Sequence, residues 1–427
     1  MESITVRGGA RLTGEVTVEG AKNSALKLMA AAIMAPGISR LSNVPDIADV
    51  DIMAQVLEAL GARVTRIDHA LEIDATRLTN HEAPYEFVAQ MRASTAVLGP
   101  LISRLGEANV AMPGGCNIGS RKIDMHLRGL QALGVEIVIG HGYIHATALP
   151  EGPHAAHVTL DFASVGATEN LLMASVLAKG TTVIENAARE PEIVDLIDFL
   201  NAMGARVSGA GTPTVTVEGV KSLTPVDHRV VGDRIEAGTY LVAGAITGGR
   251  VTVRGFDPAH LDLVLAKLVQ AGCSVEVLSD GVTISRDGAI RSVDIQTLPF
   301  PGFPTDMQAQ FMALMALAQG DSIITENVFE NRFMFADELM RMGADIRIES
   351  HHALVKGVPE LSAAPVRSTD LRGGAALVLA ALAADGETTI GDVYHIDRGY
   401  ERFCEKLAAL GADISRGRAS DEPSAGC

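Results

Sequence analysis

Leu60-Gly61-Ala62-Arg63-Val64 is the phrase on which the fold turns, because the chain repeats it. Complete or degenerate copies stand at Leu133-Gly134-Val135, Met203-Gly204-Ala205-Arg206-Val207, Ala271-Gly272-Cys273, Met342-Gly343-Ala344-Asp345-Ile346 and Leu410-Gly411-Ala412-Asp413-Ile414. The shared glycines are 73, 70, 68, 71 and 68 residues apart, so the 427 residues divide into six units of similar length. Self-similarity at a fixed period marks a duplicated structural unit.

Working outward from each glycine gives the same order of elements. A short extended piece ends in a polar cluster, at 20–24, 91–95, 164–170, 233–239, 305–308 and 369–373. An Ala/Leu/Met-rich helix follows, predicted over 25–35, 171–179 and 308–318 in three of the units. A glycine turn then leads to a β-branched strand, at 180–184, 249–253, 320–324 and 386–390. A second helix, with apolar residues at helical spacing over 193–203 and 334–342, ends at the shared glycine as its C-terminal cap. A strand pair such as 205–208 with 214–218 closes the unit. Residues 229–232 fall at mid-chain and are read as the crossover between two groups of three units. The residues beyond Arg416 are polar and without period, and 417–427 are expected to form a disordered tail.

The second unit departs from the pattern. It carries Pro113-Gly114-Gly115-Cys116-Asn117-Ile118-Gly119-Ser120-Arg121-Lys122-Ile123-Asp124 where the others have a short turn. Three glycines and a proline let the backbone leave the ordinary basins. Two adjacent cations lower a nearby thiol's pKa and raise its reactivity. Taken alone the loop reads either as part of an active site or as a solvated turn with a packed cysteine.

Composition narrows the function. Apolar residues make up 47% and aromatic ones 4%, with no Trp, which fits close helix–sheet packing and not an aromatic nucleic-acid surface. The net charge of −17 also argues against nucleic acid, and means that an anionic ligand needs a local basic cluster. No apolar run reaches the roughly 18 residues of a membrane span, and no signal peptide is legible. Cys116, Cys273, Cys404 and Cys427 lack metal-ligand spacing and are read as free thiols in a reducing cytoplasm. Gly8-Gly9-Ala10 and Gly209-Ala210-Gly211 lack phosphate-loop or dinucleotide-binding spacing and are read as turns. The twelve histidines, His126, His141 and His145 among them, are read as structural or surface residues.

The polar clusters carry the chemistry: Lys22-Asn23-Ser24, Arg92-Ala93-Ser94, Thr305-Asp306 and Arg372-Gly373-Gly374, with Arg332 and Arg398 in later turns. Each cation alone reads as a solvated charge. Their recurrence at one topological position predicts that the helix N-termini face a common cleft, offering N–H groups and positive dipole ends to an anion.

Several long motifs resemble the UDP-N-acetylglucosamine enolpyruvyl transferases (1-carboxyvinyltransferases) of the EPSP synthase superfamily. They are Gly20-Ala21-Lys22-Asn23-Ser24, Met91-Arg92-Ala93-Ser94, Pro113-Gly114-Gly115-Cys116, Ser164-Val165-Gly166-Ala167-Thr168-Glu169-Asn170, Asn186-Ala187-Ala188-Arg189-Glu190-Pro191-Glu192, Phe303-Pro304-Thr305-Asp306-Met307-Gln308-Ala309-Gln310, Phe329-Glu330-Asn331-Arg332-Phe333 and Tyr394-His395-Ile396-Asp397-Arg398-Gly399-Tyr400-Glu401. The resemblance runs in order from about residue 4 to residue 414. It implies an α/β fold, a two-domain inside-out barrel of six βαβαββ repeats, three per domain. One domain spans 22–230; the other is discontinuous, 1–21 with 231–416.

The implied reaction moves the enolpyruvyl group of phosphoenolpyruvate to the 3-hydroxyl of UDP-N-acetylglucosamine and releases phosphate, the first committed step of peptidoglycan synthesis. It needs no cofactor and no metal, and the implied partners are these two small molecules, with no nucleic acid and no membrane. By resemblance Cys116 is the general acid and the target of the epoxide fosfomycin, Asp306 is the base, and Lys22 and Arg398 complete the catalytic set. Lys22, Asn23, Arg121, Arg332, Arg372 and Arg398 are expected at phosphoenolpyruvate. Asn23, Arg92, Arg121, Lys122, Ile123, Asp124, Phe162, Ala163, Ser164, Val165, Thr305, Asp306 and Val328 are expected at the UDP-sugar.

Two departures stand out. The family loop usually reads Cys-Ala-Ile-Gly and then Arg-Pro, where this chain has Asn117 and Lys122; Gly373-Gly374 replaces a frequent Ala-Ser and is expected to loosen that spot. The competing readings are the sister enzyme that makes enolpyruvylshikimate phosphate, expected to lack the loop cysteine, and a silent paralogue that binds UDP-sugars for regulation.

Overall fold

All thirteen residues of the helix Arg234–Ile246 are buried, and the helix Leu371–Ala383 is buried from Arg372 to Leu382. A helix without a polar face belongs inside a domain. With the helix Gln308–Met315 these two form the middle of one half of the molecule, and sheets cover them from outside. The structure, a computed structural model, describes residues 2–112 and 123–418; segment 113–122, with Cys116, Asn117, Arg121 and Lys122, lies outside the described residues.

The strands form six four-stranded sheets. In one, Thr181–Glu185 pairs in parallel with His157–Thr159 and antiparallel with Thr214–Glu218, which pairs antiparallel with Arg206–Ser208. Strands distant in sequence complete other sheets. Asp227–Arg229 joins Ile38–Ser42 in parallel, Thr13–Thr17 joins Arg250–Arg254, and Glu2–Arg7 lies between Glu387–Gly391 and Asp413–Arg418. Two hydrophobic cores result, one drawn from residues 25–230 and the other from 4–18 with 235–412.

The chain passes between the cores at two points that lie side by side. Gly20 bridges Gly232, and the Ala21 N–H donates to Val231 O at 2.6 Å. Asp233 caps the helix Arg234–Ile246 through the N–H groups of Ile235 and Glu236 at 2.8 and 2.9 Å, and also accepts the Lys22 N–H at 3.1 Å. One side chain thus holds the starts of two helices from different cores.

The repeat glycines behave as the spacing predicts. Gly61, Gly134, Gly204, Gly272, Gly343 and Gly411 have φ of 102, 82, 103, 100, 93 and 100°, the left-handed cap conformation that a Cβ disfavours. Element edges differ. The helices are Lys22–Ala32 and Val165–Ser175, earlier than 25–35 and 171–179, because the polar residues ahead of the apolar run start the helix. Ser164 accepts the Ala167 N–H and Asp370 those of Arg372 and Gly373, as N-caps do.

Two expectations are corrected. Residues 417 and 418 are not tail: Asp413–Arg418 is a strand zipped to Glu2–Arg7, with Arg416 bonded to Asp397 and Glu2. Residues 419–427 lie outside the described residues. Gly373 and Gly374 do not loosen their turn. A Cβ on Gly374 would stand 2.2 Å from Ser368 Oγ, and one on Gly373 2.7 Å from Phe335 Cβ, so the missing methyls permit close packing.

Beside the crossover Glu236 is buried, accepting Lys406 Nζ at 2.9 Å and the Glu19 N–H at 3.4 Å. Burial pushes its carboxyl up to about 7, against the pull of Lys406. The unfolded chain gives up this proton near pH ~4.3 while the folded chain keeps it to about pH 7, so its contribution to stability falls as pH rises through that window. Glu236→Gln should flatten the decline, gaining on the parent by on the order of 1–3 kcal/mol between pH 5 and pH 8. Denaturant melts at the two pH values check this; parallel pH curves for the two proteins would contradict it.

Candidate active site

Every one of the six units sends the start of a helix to one cavity of about 1010 Å³ between the cores. Lys22 and Asn23 open the helix Lys22–Ala32; Met91 and Ala93 flank the start of the 3₁₀ turn Arg92–Val97; Ser164 caps Val165–Ser175. From the other core come Arg234, Thr305 with Asp306, and Asp370 with Arg372. Positive dipole ends are therefore gathered at one place, which suits polyanionic ligands.

Two charged knots lie in this cavity. In the first, Asp49 accepts Lys22 Nζ at 2.7 Å and Arg398 at 2.8 and 3.3 Å. Burial lowers the Lys22 pKa, partly opposed by Asp49, with Arg398 and Arg372 adding to the lowering. Burial works to raise the Asp49 carboxyl, but Lys22 and Arg398 outweigh it and hold it low. In the second, Asp306 receives Arg332 at 2.6 Å and Arg372 at 3.2 and 3.4 Å. Arg332 also donates to Thr305 Oγ1 at 3.0 Å and lies over the Phe329 ring; Arg372 lies over Tyr400. Both arginines are 3% exposed, so the direction of their side chains is set by packing and pairing.

Buried Glu326 fixes the edge of this second knot. It accepts Thr297 and Thr305 hydroxyls at 3.0 and 2.9 Å and the N–H groups of Val328 and Phe329 at 2.8 and 3.0 Å. Four donors on one carboxylate make Thr305 and Val328 a preset wall.

Among the residues expected at the substrates, Lys22, Asn23, Asp124, Phe162, Ala163, Ser164, Val165, Thr305, Asp306, Val328, Arg332, Arg372 and Arg398 line this one cavity. Ile123 instead caps the helix Asp124–Ala132 and packs into the first core. Arg92 heads the 3₁₀ turn between two lining residues. Cys116, Arg121 and Lys122 lie outside the described residues.

Sequence reading missed Asp49, which looks like an ordinary acidic residue in the first turn of the helix Ala48–Ala59. It also missed an ion pair and a hydrogen bond across the cleft: Arg234 holds Glu192 at 3.0 and 3.2 Å, and Glu190 accepts the Phe300 N–H at 3.3 Å. Glu190 and Glu192 stand in a quoted motif, so their place was visible although their partners were not.

Comparisons with known proteins agree with this geometry. The family model described as EPSP synthase (3-phosphoshikimate 1-carboxyvinyltransferase) matches residues 6–407. The UDP-N-acetylglucosamine 1-carboxyvinyltransferase of Corynebacterium jeikeium is 55% identical over 97% of this chain and 99% of its own. That of Trichlorobacter lovleyi is 52% identical, with the same coverage. Among solved structures, the enolpyruvyl transferase NikO from Streptomyces tendae superposes with a TM-score of 0.87 at 29% identity, covering 97% of this chain and 98% of that one. EPSP synthase from Acinetobacter baumannii reaches 0.76 at 17% identity over 98% of this chain and 100% of that one, a likeness of fold alone. A two-domain α/β fold of repeated units, a cation-lined cleft between its halves and near full-length relatives lead to one conclusion: the chain belongs to the EPSP synthase family of enolpyruvyl transferases.

Proposed function

We infer that this chain transfers the enolpyruvyl group of phosphoenolpyruvate to the 3-hydroxyl of UDP-N-acetylglucosamine and releases phosphate, opening peptidoglycan synthesis. The observation that carries the reading is the meeting of the Lys22–Asp49–Arg398 and Asp306–Arg332–Arg372 knots in one cavity roomy enough for a nucleotide-sugar. The relatives at 52% and 55% identity bear the name of that activity.

The chemistry divides among the residues as follows. Lys22, Arg398, Arg372 and Arg332, with Arg121 and Asn23, hold the phosphate and carboxylate of phosphoenolpyruvate. Cys116 gives its proton to carbon 3, carbon 2 becomes electrophilic, and the sugar oxygen bonds to it as its proton passes to Asp306. The Cys116 thiolate then takes a carbon 3 proton as the C–O bond to phosphate breaks, which restores the double bond, and the proton held by Asp306 leaves with the phosphate. The UDP-sugar lies along Arg92, Arg121–Asp124, Phe162–Val165, Thr305 and Val328. The two cores and the strands lent by residues 2–17 support domain limits of 22–230 and 1–21 with 231–416, the last carried on to 418 by the strand Asp413–Arg418. The cytoplasm is the proposed location; no helix among the described residues is long and apolar enough to cross a membrane.

Phosphate release from phosphoenolpyruvate tests the reading. UDP-N-acetylglucosamine should support it and shikimate 3-phosphate should not; the reverse would assign the chain to the sister reaction, and release with neither would leave it a binding protein.

Thiol reactivity gives a second test. Cys273 and Cys404 are buried, and burial pushes both thiols up to about 11. Neither is a ready nucleophile at neutral pH. Fosfomycin should therefore inactivate the enzyme with its label at Cys116, located by peptide mapping. Inactivation with the label on Cys273 or Cys404 would refute the assignment.

A further inference from the structure

The helix Ala48–Ala59 carries Asp49, yet its own N-cap residue, Ile47, supplies no side-chain cap. Its start is held from the other core. Glu401, 5% exposed, accepts the Asp46 N–H at 2.7 Å, and the same oxygen faces His69 Nδ1 at 3.8 Å. Three residues before Glu401 stands Arg398, and three residues after Asp46 stands Asp49, which Arg398 grips at 2.8 Å. Two contacts, one step apart on both sides, join the segment 398–401 to the segment 46–49. The second of them ends on the carboxylate that also holds Lys22 at 2.7 Å.

We infer that Glu401 is a positioning residue for the phosphoenolpyruvate site: by fixing the entry of the helix Ala48–Ala59 it sets where Asp49 stands, and so where Asp49 places Lys22 and Arg398. Glu401 does not line the cavity, and it acts on the substrate only through those three side chains. The inference rests on the proposed function, which makes Lys22 and Arg398 ligands of phosphoenolpyruvate. A bond between a carboxylate and a main-chain N–H belongs to the stronger class, and losing it frees one end of the helix. The UDP-sugar contacts come from other elements, Phe162–Val165 and Thr305 with Val328, so they should not feel the change.

Steady-state kinetics of the full chain test this. Glu401→Ala should raise KM for phosphoenolpyruvate about tenfold and leave that for UDP-N-acetylglucosamine within about twofold. Glu401→Gln, which keeps an acceptor oxygen, should restore most of the loss. Asp46→Pro removes the donated N–H from the opposite side and should reproduce the alanine pattern, which serves if Glu401→Ala does not fold. Unchanged KM values with only a lower melting temperature would make Glu401 a structural clasp and overturn the inference, as would equal rises for both substrates. A parent protein without transfer activity would count against the proposed function instead, since the inference concerns differences from an active parent.

Discussion

Asp306→Asn is expected to lower turnover at least ~10²-fold, the scale of a lost acid–base group, while UDP-sugar binding stays within about threefold of the parent. Asp306 could have been a mere helix cap, which would make the change one of stability alone. The structure removes that reading: Pro304 is the cap residue of the turn Thr305–Met307, and no side-chain cap bond is made there. The carboxylate is spent on Arg332 and Arg372. In the proposed reaction phosphoenolpyruvate brings its own anionic groups to these guanidiniums, which leaves a carboxylate oxygen of Asp306 for the sugar hydroxyl. Asparagine keeps the volume and one acceptor but cannot take the proton. Some loss of stability is expected too, because the amide nitrogen faces cationic donors, but Arg332 retains Thr305 and the Phe329 ring and Arg372 retains Tyr400. Turnover, sugar affinity and melting temperature together decide the matter. Near-normal turnover with a clear drop in melting temperature would make Asp306 a structural counter-ion.

Much of this was legible in the residues. The recurring glycines gave six units because a helix that stops in the left-handed conformation has one cheap residue for it, and the same stop recurs in each copy. Recurrence also placed the site: a polar cluster at the same point of each unit must meet its counterparts once the units pack around an axis. Element edges were less legible. Ser164 and Asp370 read as extended residues because their caps become visible only with the helix in place. Partners were the least legible of all. Asp49 and Arg398 are 349 residues apart, and the spacing of a helix says nothing about a carboxylate that crosses to another core. The same holds for Arg416, whose polar surroundings suggest a tail until Glu2–Arg7 is seen lying beside it.

The strongest effect should come from Lys22→Met. Removing one preorganised cation from an anionic reaction centre costs on the order of 10²–10³ in rate, and the proposed function makes Lys22 a ground-state ligand as well, so kcat/KM for phosphoenolpyruvate should fall about 10³-fold. The fold should survive, because Asp49 keeps both bonds to Arg398 and methionine refills the volume of the lysine stem. Removing the carboxylate has the opposite profile. Asp49→Leu strands Lys22 and Arg398 together without a counter-ion, and breaking a buried pair from one side costs about 3–5 kcal/mol. Asp49→Asn is milder and carries a pH signature. Burial already lowers the Lys22 pKa and Asp49 opposes that lowering. Without the carboxylate the lysine loses its proton at lower pH, and since only the charged form binds the anion, the alkaline limb of kcat/KM should move toward neutrality. The pH profile of parent and Asp49→Asn checks the sign. A limb that stays in place, or that moves to higher pH, would mean that Lys22 is not the cation whose charge the reaction requires.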